Sequence, residues 1–185
     1  KKEMRKLNIN KKEGVLFWIT GLAGSGKSSI ARYLLPKIQK YYGPSIIVSG
    51  DNLRNIHGFR KYTKKDRLKF AKTKLKFCEL ILRQKINLVY STISMFDKVR
   101  EMNKKKFSNY IEIYIKTDLK NIVKKNKKKI YFRKNMKNIW GVDLRPEFPK
   151  KPNIVIVNDF KKPVSHYSNR IFDELKKIIN KKWLA

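Results

Sequence analysis

Residues 14–28 read GVLFWITGLAGSGKS, and this stretch decides the fold. GVLFWIT (14–20) is a continuous apolar run, long enough for a buried strand and too short for a helix. Gly21-Leu22-Ala23-Gly24-Ser25-Gly26-Lys27-Ser28 then matches G-x-x-x-x-G-K-[ST] in full, with a helical pattern, IARYLLPKIQKYY, behind it. The chemistry needs these residue types. Gly24 and Gly26 let backbone N–H groups turn inward around phosphate oxygens. Lys27 reaches the β- and γ-phosphates, Ser28 offers a hydroxyl to Mg²⁺, and the helix adds its positive N-terminal end. The expected ATP-binding set is Gly21, Ala23, Gly24, Ser25, Gly26, Lys27, Ser28 and Ser29, with Mg²⁺ as cofactor and ATP as co-substrate.

Working outward, four more apolar runs follow: SIIVSG (45–50), NLVYSTIS (87–94), YIEIYIKT (110–117) and NIVIV (153–157). They alternate with helical patterns. In YTKKDRLKFAKTKLKFCELILRQ, residues Leu68, Ala71, Leu75, Cys78 and Leu82 make one apolar stripe. Continuous apolar strands between amphipathic helices predict an α/β fold of three layers, a parallel five-stranded sheet with helices on both faces. Pro36 is expected to kink its helix. Residues 1–13 are read as a basic arm, loose at its start, and 14–185 as a single domain. Residues 128–152 are basic, aromatic and Pro-containing, and a lid is expected over about residues 125–152.

The chain carries 47 Lys+Arg against 14 Asp+Glu, a formal net charge of +33. Of the basic residues 37 are Lys and only 10 are Arg, and the Lys are spread over every segment. Nucleic-acid readers favour Arg, whose fork makes bidentate contacts. Asn and Ile are abundant too, and Lys, Asn and Ile all have A/T-rich codons. Composition bias is therefore the simpler source of the charge, and no specific nucleic acid is expected as a partner. A nucleic-acid-binding or polynucleotide-processing protein stays as a competing class, marked by steeply salt-dependent binding. The lone Cys78 forbids an internal disulfide. With no run of about 18 apolar residues and no signal-peptide core, the expectation is a cytoplasmic chain with no membrane partner.

Among proteins with this phosphate loop, motors and switches are disfavoured. The third apolar run ends in Tyr90-Ser91 without an acid, and N-K-x-D is absent. A small kinase remains. In open α/β sheets ligands bind beyond the carboxyl ends of the strands. Ser49-Gly50-Asp51-Asn52-Leu53-Arg54 follows the second run. Asp51 is placed to hold Mg²⁺ or to take the proton of an attacking hydroxyl, with a helix N-cap as its structural alternative. Arg54 is suited to an anionic group of the acceptor. Lys27 and Asp51 are thus the catalytic candidates, and Ser28 and Asp51 the metal candidates.

WITGLAGSGKSSIARYL, GDNLR with the following GF, DR, STIS-x-F-x-x-x-R, IY in a basic segment and GVD resemble, in that order, the adenylyl-sulfate kinase family. The resemblance runs from about Gly14 to Val157. It implies transfer of the γ-phosphoryl group of ATP to the 3′-hydroxyl of adenylyl sulfate, giving 3′-phosphoadenylyl sulfate. It implies Asp51 near that hydroxyl, Arg54 and Arg67 on the acceptor nucleotide, and Phe59 on one face of its base. Trp140 stands where the family has a second stacking aromatic. Ile93 and Ser94, which follow the third apolar run, are expected from that position to line the same pocket, and the resemblance places Lys128 and Tyr131 in the family's lid.

The departures gather on the acceptor side. The first Asp of D-G-D-N is Ser49, the Asn that faces the acceptor base is Phe70, and the Arg pair after it is Lys72-Thr73. The lid's Arg-Asp is Lys125-Asn126. The ATP half is kept while acceptor-base and lid contacts have changed. A related kinase for a different nucleotide-linked acceptor, such as a cytidine diphosphoramidate-type nucleotide, is therefore the alternative. The expected partners are small-molecule nucleotides, and a homodimer is allowed.

Overall fold

The computed structural model describes Leu7 and residues 9–60, 62–125 and 139–179. The elements run β1 (Leu16–Thr20), α1 (Lys27–Tyr42), β2 (Ser45–Ser49), α2 (Gly50–Ile56), α3 (Lys64–Leu82), β3 (Asn87–Thr92), α4 (Asp97–Lys106), β4 (Tyr110–Lys116), α5 (Leu119–Lys125), β5 (Ile154–Val157) and α6 (Val164–Ile178). The strands form one parallel sheet in the order β2-β3-β1-β4-β5. This is the expected α/β three-layer architecture.

Each strand sends alternate side chains to opposite faces. From β1, Phe17 and Ile19 join Ile30 and Leu34 of α1 and Ile171 and Leu175 of α6 in one core. Leu16 and Trp18 point the other way, into a second core with Leu53 of α2, Phe70 and Cys78 of α3 and Val99 of α4. β5 departs from the continuous-burial reading. It lies at the sheet edge, where Val155 and Val157 are 47% and 58% exposed. Pro36 lies within α1, which continues as one helix to Tyr42. No helix among the described residues is long and apolar enough to cross a membrane.

The described part of the N-terminal arm is tied down, and its start lies outside the described residues. Leu7 N–H donates to the Ile178 carbonyl at 3.0 Å. The Asn109 side chain accepts from Asn10 N–H at 2.8 Å and donates to the Asn10 and Glu13 carbonyls at 2.8 and 3.1 Å. A second buried amide, Asn87, joins three elements at the opposite end from the phosphate loop. It accepts from Val15 N–H at 2.9 Å and donates to the Tyr42 carbonyl at 2.8 Å and to Ser45 Oγ at 3.2 Å. Asn87 is fully buried, so no water can substitute at once for these bonds.

Replacing Asn87 by Leu leaves the Val15 N–H and the Tyr42 carbonyl without partners. The expected loss is about 2–4 kcal/mol in urea-denaturation stability. A loss under about 0.5 kcal/mol would mean that these bonds do not lock β1 to α1 and β2.

Candidate active site

β1 lies at the point where the strand order reverses, between β3 and β4. The crevice beyond its carboxyl end is where such sheets bind ligands. The phosphate loop fills that position and leads directly into α1. Gly26 has φ 90°, and a Cβ there would come within 2.7 Å of Asn158 Nδ2. The same Asn158 donates to the Ser25 carbonyl at 2.9 Å and accepts from Phe160 N–H at 3.0 Å. The segment after β5 thus braces the loop from behind. The Lys27 ammonium arches over the loop to the Leu22 carbonyl at 2.5 Å and Ser25 Oγ at 3.4 Å.

Two chambers open along the carboxyl edge of the sheet. The first, with an empty volume of ≈ 690 Å³, is lined by Ala23, Gly24, Gly26, Lys27, Ser28 and Ser29 of the loop and by Asp51 and Ile93. Gly21 begins the loop, and Ser25 is buried beneath it with its carbonyl held by Asn158. Ser28 Oγ lies 3.4 Å from Ser91 Oγ at the end of β3. The second chamber, ≈ 500 Å³, is lined by Arg54, Tyr62, Arg67, Phe70, Lys74, Ser94 and Phe96. Gly50, Asp51, Thr92 and Ile93 belong to both. Asp51 therefore stands at the junction of the two.

Its placement comes from local structure. Ser49 caps α2, accepting from Asn52 N–H at 3.0 Å. Asp51 is inside the first turn, so the cap reading of Asp51 does not hold. Gly50 lets the turn press against β3, since a Cβ there would lie 2.7 Å from Thr92 Oγ1. Where the family has its first Asp, the Ser49 hydroxyl of this chain serves as the cap.

The second chamber is rich in cations and rings. The Arg54 guanidinium lies 4.5 Å from the Tyr62 ring centre and 4.8 Å from that of Phe70, and it donates to the Phe59 carbonyl at 3.3 Å. Arg67 lies 5.3 Å from Tyr62 and 5.5 Å from Trp140, and donates to the Tyr62 carbonyl at 2.8 Å. Burial first, and Arg54 second, bring the Arg67 pKa down to about 10, which leaves it charged at neutral pH. Buried Arg100 fixes the loop after β3. It donates to the Ser94 carbonyl at 3.2 Å and the Glu147 carbonyl at 2.6 Å, pairs with Asp97, and lies 3.7 Å from Glu112.

Two expected base contacts take other positions. Phe59 stacks on Phe70, with ring centres 5.0 Å apart and planes at 24°. Trp140 is 5% exposed, meets Phe96 edge-on at 4.7 Å, and lines a neighbouring groove instead of the second chamber. Lys128 and Tyr131 lie outside the described residues.

Lys74, Tyr62 and Val99 line the chamber without having been singled out in the sequence. Lys74 is one helical turn beyond Phe70 and next to Leu75 on the apolar stripe of α3, a position that could have marked it. It is 7% exposed, and burial first brings its pKa down to about 8, with Arg54 and Arg67 pushing the same way and the Cys78 thiol opposing.

Two adjoining chambers, one built on a phosphate loop and one on cations and rings, thus share the carboxyl edge of the sheet. The model of the family described as adenylylsulphate kinase matches residues 13–157. A cytidine diphosphoramidate kinase of Campylobacter jejuni is 35% identical over 147 residues, covering 78% of this chain and 85% of that protein. An adenylyl-sulfate kinase of Clostridium kluyveri is 32% identical over 184 residues, covering 94% and 89%. The structure of the Mycobacterium tuberculosis APS kinase in complex with AMPPNP and APS superposes with a TM-score of 0.80 at 22% identity, covering 89% of this chain and 98% of that one, and so shares the fold. The loop, the junction and the matched span together make this chain a member of the adenylylsulphate kinase family, an ATP-dependent phosphotransferase that acts on nucleotides.

Proposed function

We propose that the acceptor is a pyrimidine nucleotide of the cytidine diphosphoramidate type, phosphorylated on its ribose 3′-hydroxyl. The Phe59–Phe70 stack carries this reading. The family's ring for the acceptor base is covered by a side chain of the protein itself, and the Asn that faces that base is gone. The likeness to the cytidine diphosphoramidate kinase supports the same choice. Adenylyl sulfate is the second reading, favoured by Arg54 and Arg67 at the chamber and by the near full-length match to an adenylyl-sulfate kinase.

The chemistry is the same for either acceptor. ATP lies in the first chamber with its phosphates over the loop, and the acceptor hydroxyl comes to the junction. An oxygen–phosphorus bond forms from the hydroxyl to the γ-phosphorus as the bond to the β-phosphate oxygen breaks, releasing ADP. Asp51 takes the hydroxyl proton, and Lys27 stabilises the charge that gathers on the phosphates. Arg54 and Arg67 hold the anionic chain of the acceptor, and most of the rate comes from this positioning. Ser28 and Asp51 line the same chamber and offer oxygen donors, so they fit Mg²⁺. Among the described residues no group of three or more His, Cys, Asp or Glu could hold a metal unaided, and Mg²⁺ brought in on ATP needs only one or two protein oxygens. Bound there, it would neutralise phosphate charge.

The purified protein, given ATP and either cytidine diphosphoramidate or adenylyl sulfate, is expected to show the higher kcat/KM with the cytidine acceptor. A higher kcat/KM with adenylyl sulfate would replace the first reading by the second. Lys27→Ala is expected to lower kcat by roughly 10²–10³-fold, because a preorganised cation is lost from the phosphates. Asp51→Asn is expected to lower kcat by roughly 10²–10⁴-fold with the KM for ATP nearly constant, as for a group that acts on the proton in flight. A change confined to the KM for ATP would reassign Asp51 to ground-state nucleotide binding.

A further inference from the structure

α3 places Arg67, Phe70 and Lys74 at three- and four-residue steps along one face. Arg67 sits against Tyr62 and Trp140 at one end, and Lys74 reaches Trp18 of the central strand at the other. The Lys74 ammonium is 5.4 Å from the Trp18 ring centre and 5.7 Å from that of Phe70. Among the described residues no carboxylate, carbonyl or hydroxyl accepts a hydrogen bond from it. The Lys74 side chain is more than nine-tenths buried, and an ammonium held against ring faces with two arginines nearby costs stability. It nevertheless lines the second chamber, at the foot of the wall formed by Phe70. A cost of this kind is offset when a ligand supplies the missing acceptor.

We propose that Lys74 reads the acceptor base, donating to the O2 carbonyl and N3 of a cytosine. This rests on the pyrimidine reading above and names the residue that enforces it. Arg54 and Arg67 already serve the anionic chain, and both stand close to Tyr62. Lys74 lies one turn beyond the position that faces the base in the family. An ammonium has three donors and no acceptor, so it suits an edge with neighbouring acceptors. Cytosine has O2 beside N3. Adenine has no carbonyl, and its amino group sits beside N1, so it would leave the ammonium poorly matched. A site built around such a bond discriminates strongly against an analogue that cannot form it.

The test is steady-state kinetics of the full chain and Lys74→Met with cytidine diphosphoramidate and with adenylyl sulfate. For Lys74→Met the KM for the cytidine acceptor is expected to rise ~10–100-fold, in line with the loss of a charged hydrogen bond. The KM for ATP stays constant, and the preference for cytidine over adenosine collapses. Lys74→Gln, which keeps one donor, recovers part of the preference. A preference that survives Lys74→Met overturns the proposal. So does an equal rise in KM for both acceptors, which would assign Lys74 to the anionic chain. If the unaltered protein itself prefers adenylyl sulfate, the pyrimidine reading fails first and takes this one with it, and that failure is visible before any variant is made.

Folding provides a separate control. Lys74 titrates near 8 in the folded chain against an ordinary 10.5, so the unfolded chain binds more protons between these values. Stability therefore rises with pH through that window, and below it the full burial penalty applies. Lys74→Met is expected to raise Tm at pH 7 by a margin that shrinks above pH 8. A lower Tm at pH 7 would show that Lys74 supports the fold and would overturn the assignment.

Discussion

The pairing of β1 with β3 on one side and β4 on the other is the constraint on which the rest depends. It places the phosphate loop at the middle of the sheet, where both neighbours deliver their following loops to the same edge. The turn after β2 arrives beside β3 with Gly50 pressed against Thr92, and so sets the next residue, Asp51, at the edge of both chambers. The loop after β3 brings Ile93 and Ser94, fixed by Arg100. The segment after β5 reaches back with Asn158 to brace the loop itself. No single stretch of chain contains the site. Parallel pairing assembles it, and the two side-facing cores hold the register.

Where the signal was local, it was legible in the sequence. The strands are apolar runs bounded by polar residues, and the phosphate loop is a complete motif in its proper context, so the fold and the place of the loop in it followed from local pattern. The edge strand β5 carries the same apolar letters as a central strand, and only its place in the sheet separates Val155 and Val157 from the core. α2 went unread because seven residues are too few for a periodic stripe, and its cap, Ser49, lies inside the strand run. The anchoring of the arm through Asn109 links residues 99 positions apart, which no local pattern reports.

The acceptor side was harder for a related reason. The resemblance identified which residues had changed, but not how their replacements would pack. Phe70 did not simply delete an Asn contact. It brought a ring that Phe59 could stack on, and so changed what Phe59 presents. Trp140 likewise kept its aromatic character while turning its edge to Phe96. Substitutions in a small pocket are coupled through contact, so their effects do not add position by position.

The net charge of +33 obscured the most informative lysine. In a chain with 37 lysines, identity carries almost no information, and environment carries nearly all of it. A solvated Lys costs nothing and is free to follow composition. A buried Lys without an acid partner is held against a desolvation penalty, and so needs a reason. By that criterion the excess divides in two. Among the described residues most of it is exposed surface charge, which follows composition and names no substrate. A few groups, Lys27 over the loop, Arg54 and Arg67 among the rings and Lys74 against Trp18, are held by packing and point into the chambers. Burial, and not the count of charges, is what separates these few groups from the rest.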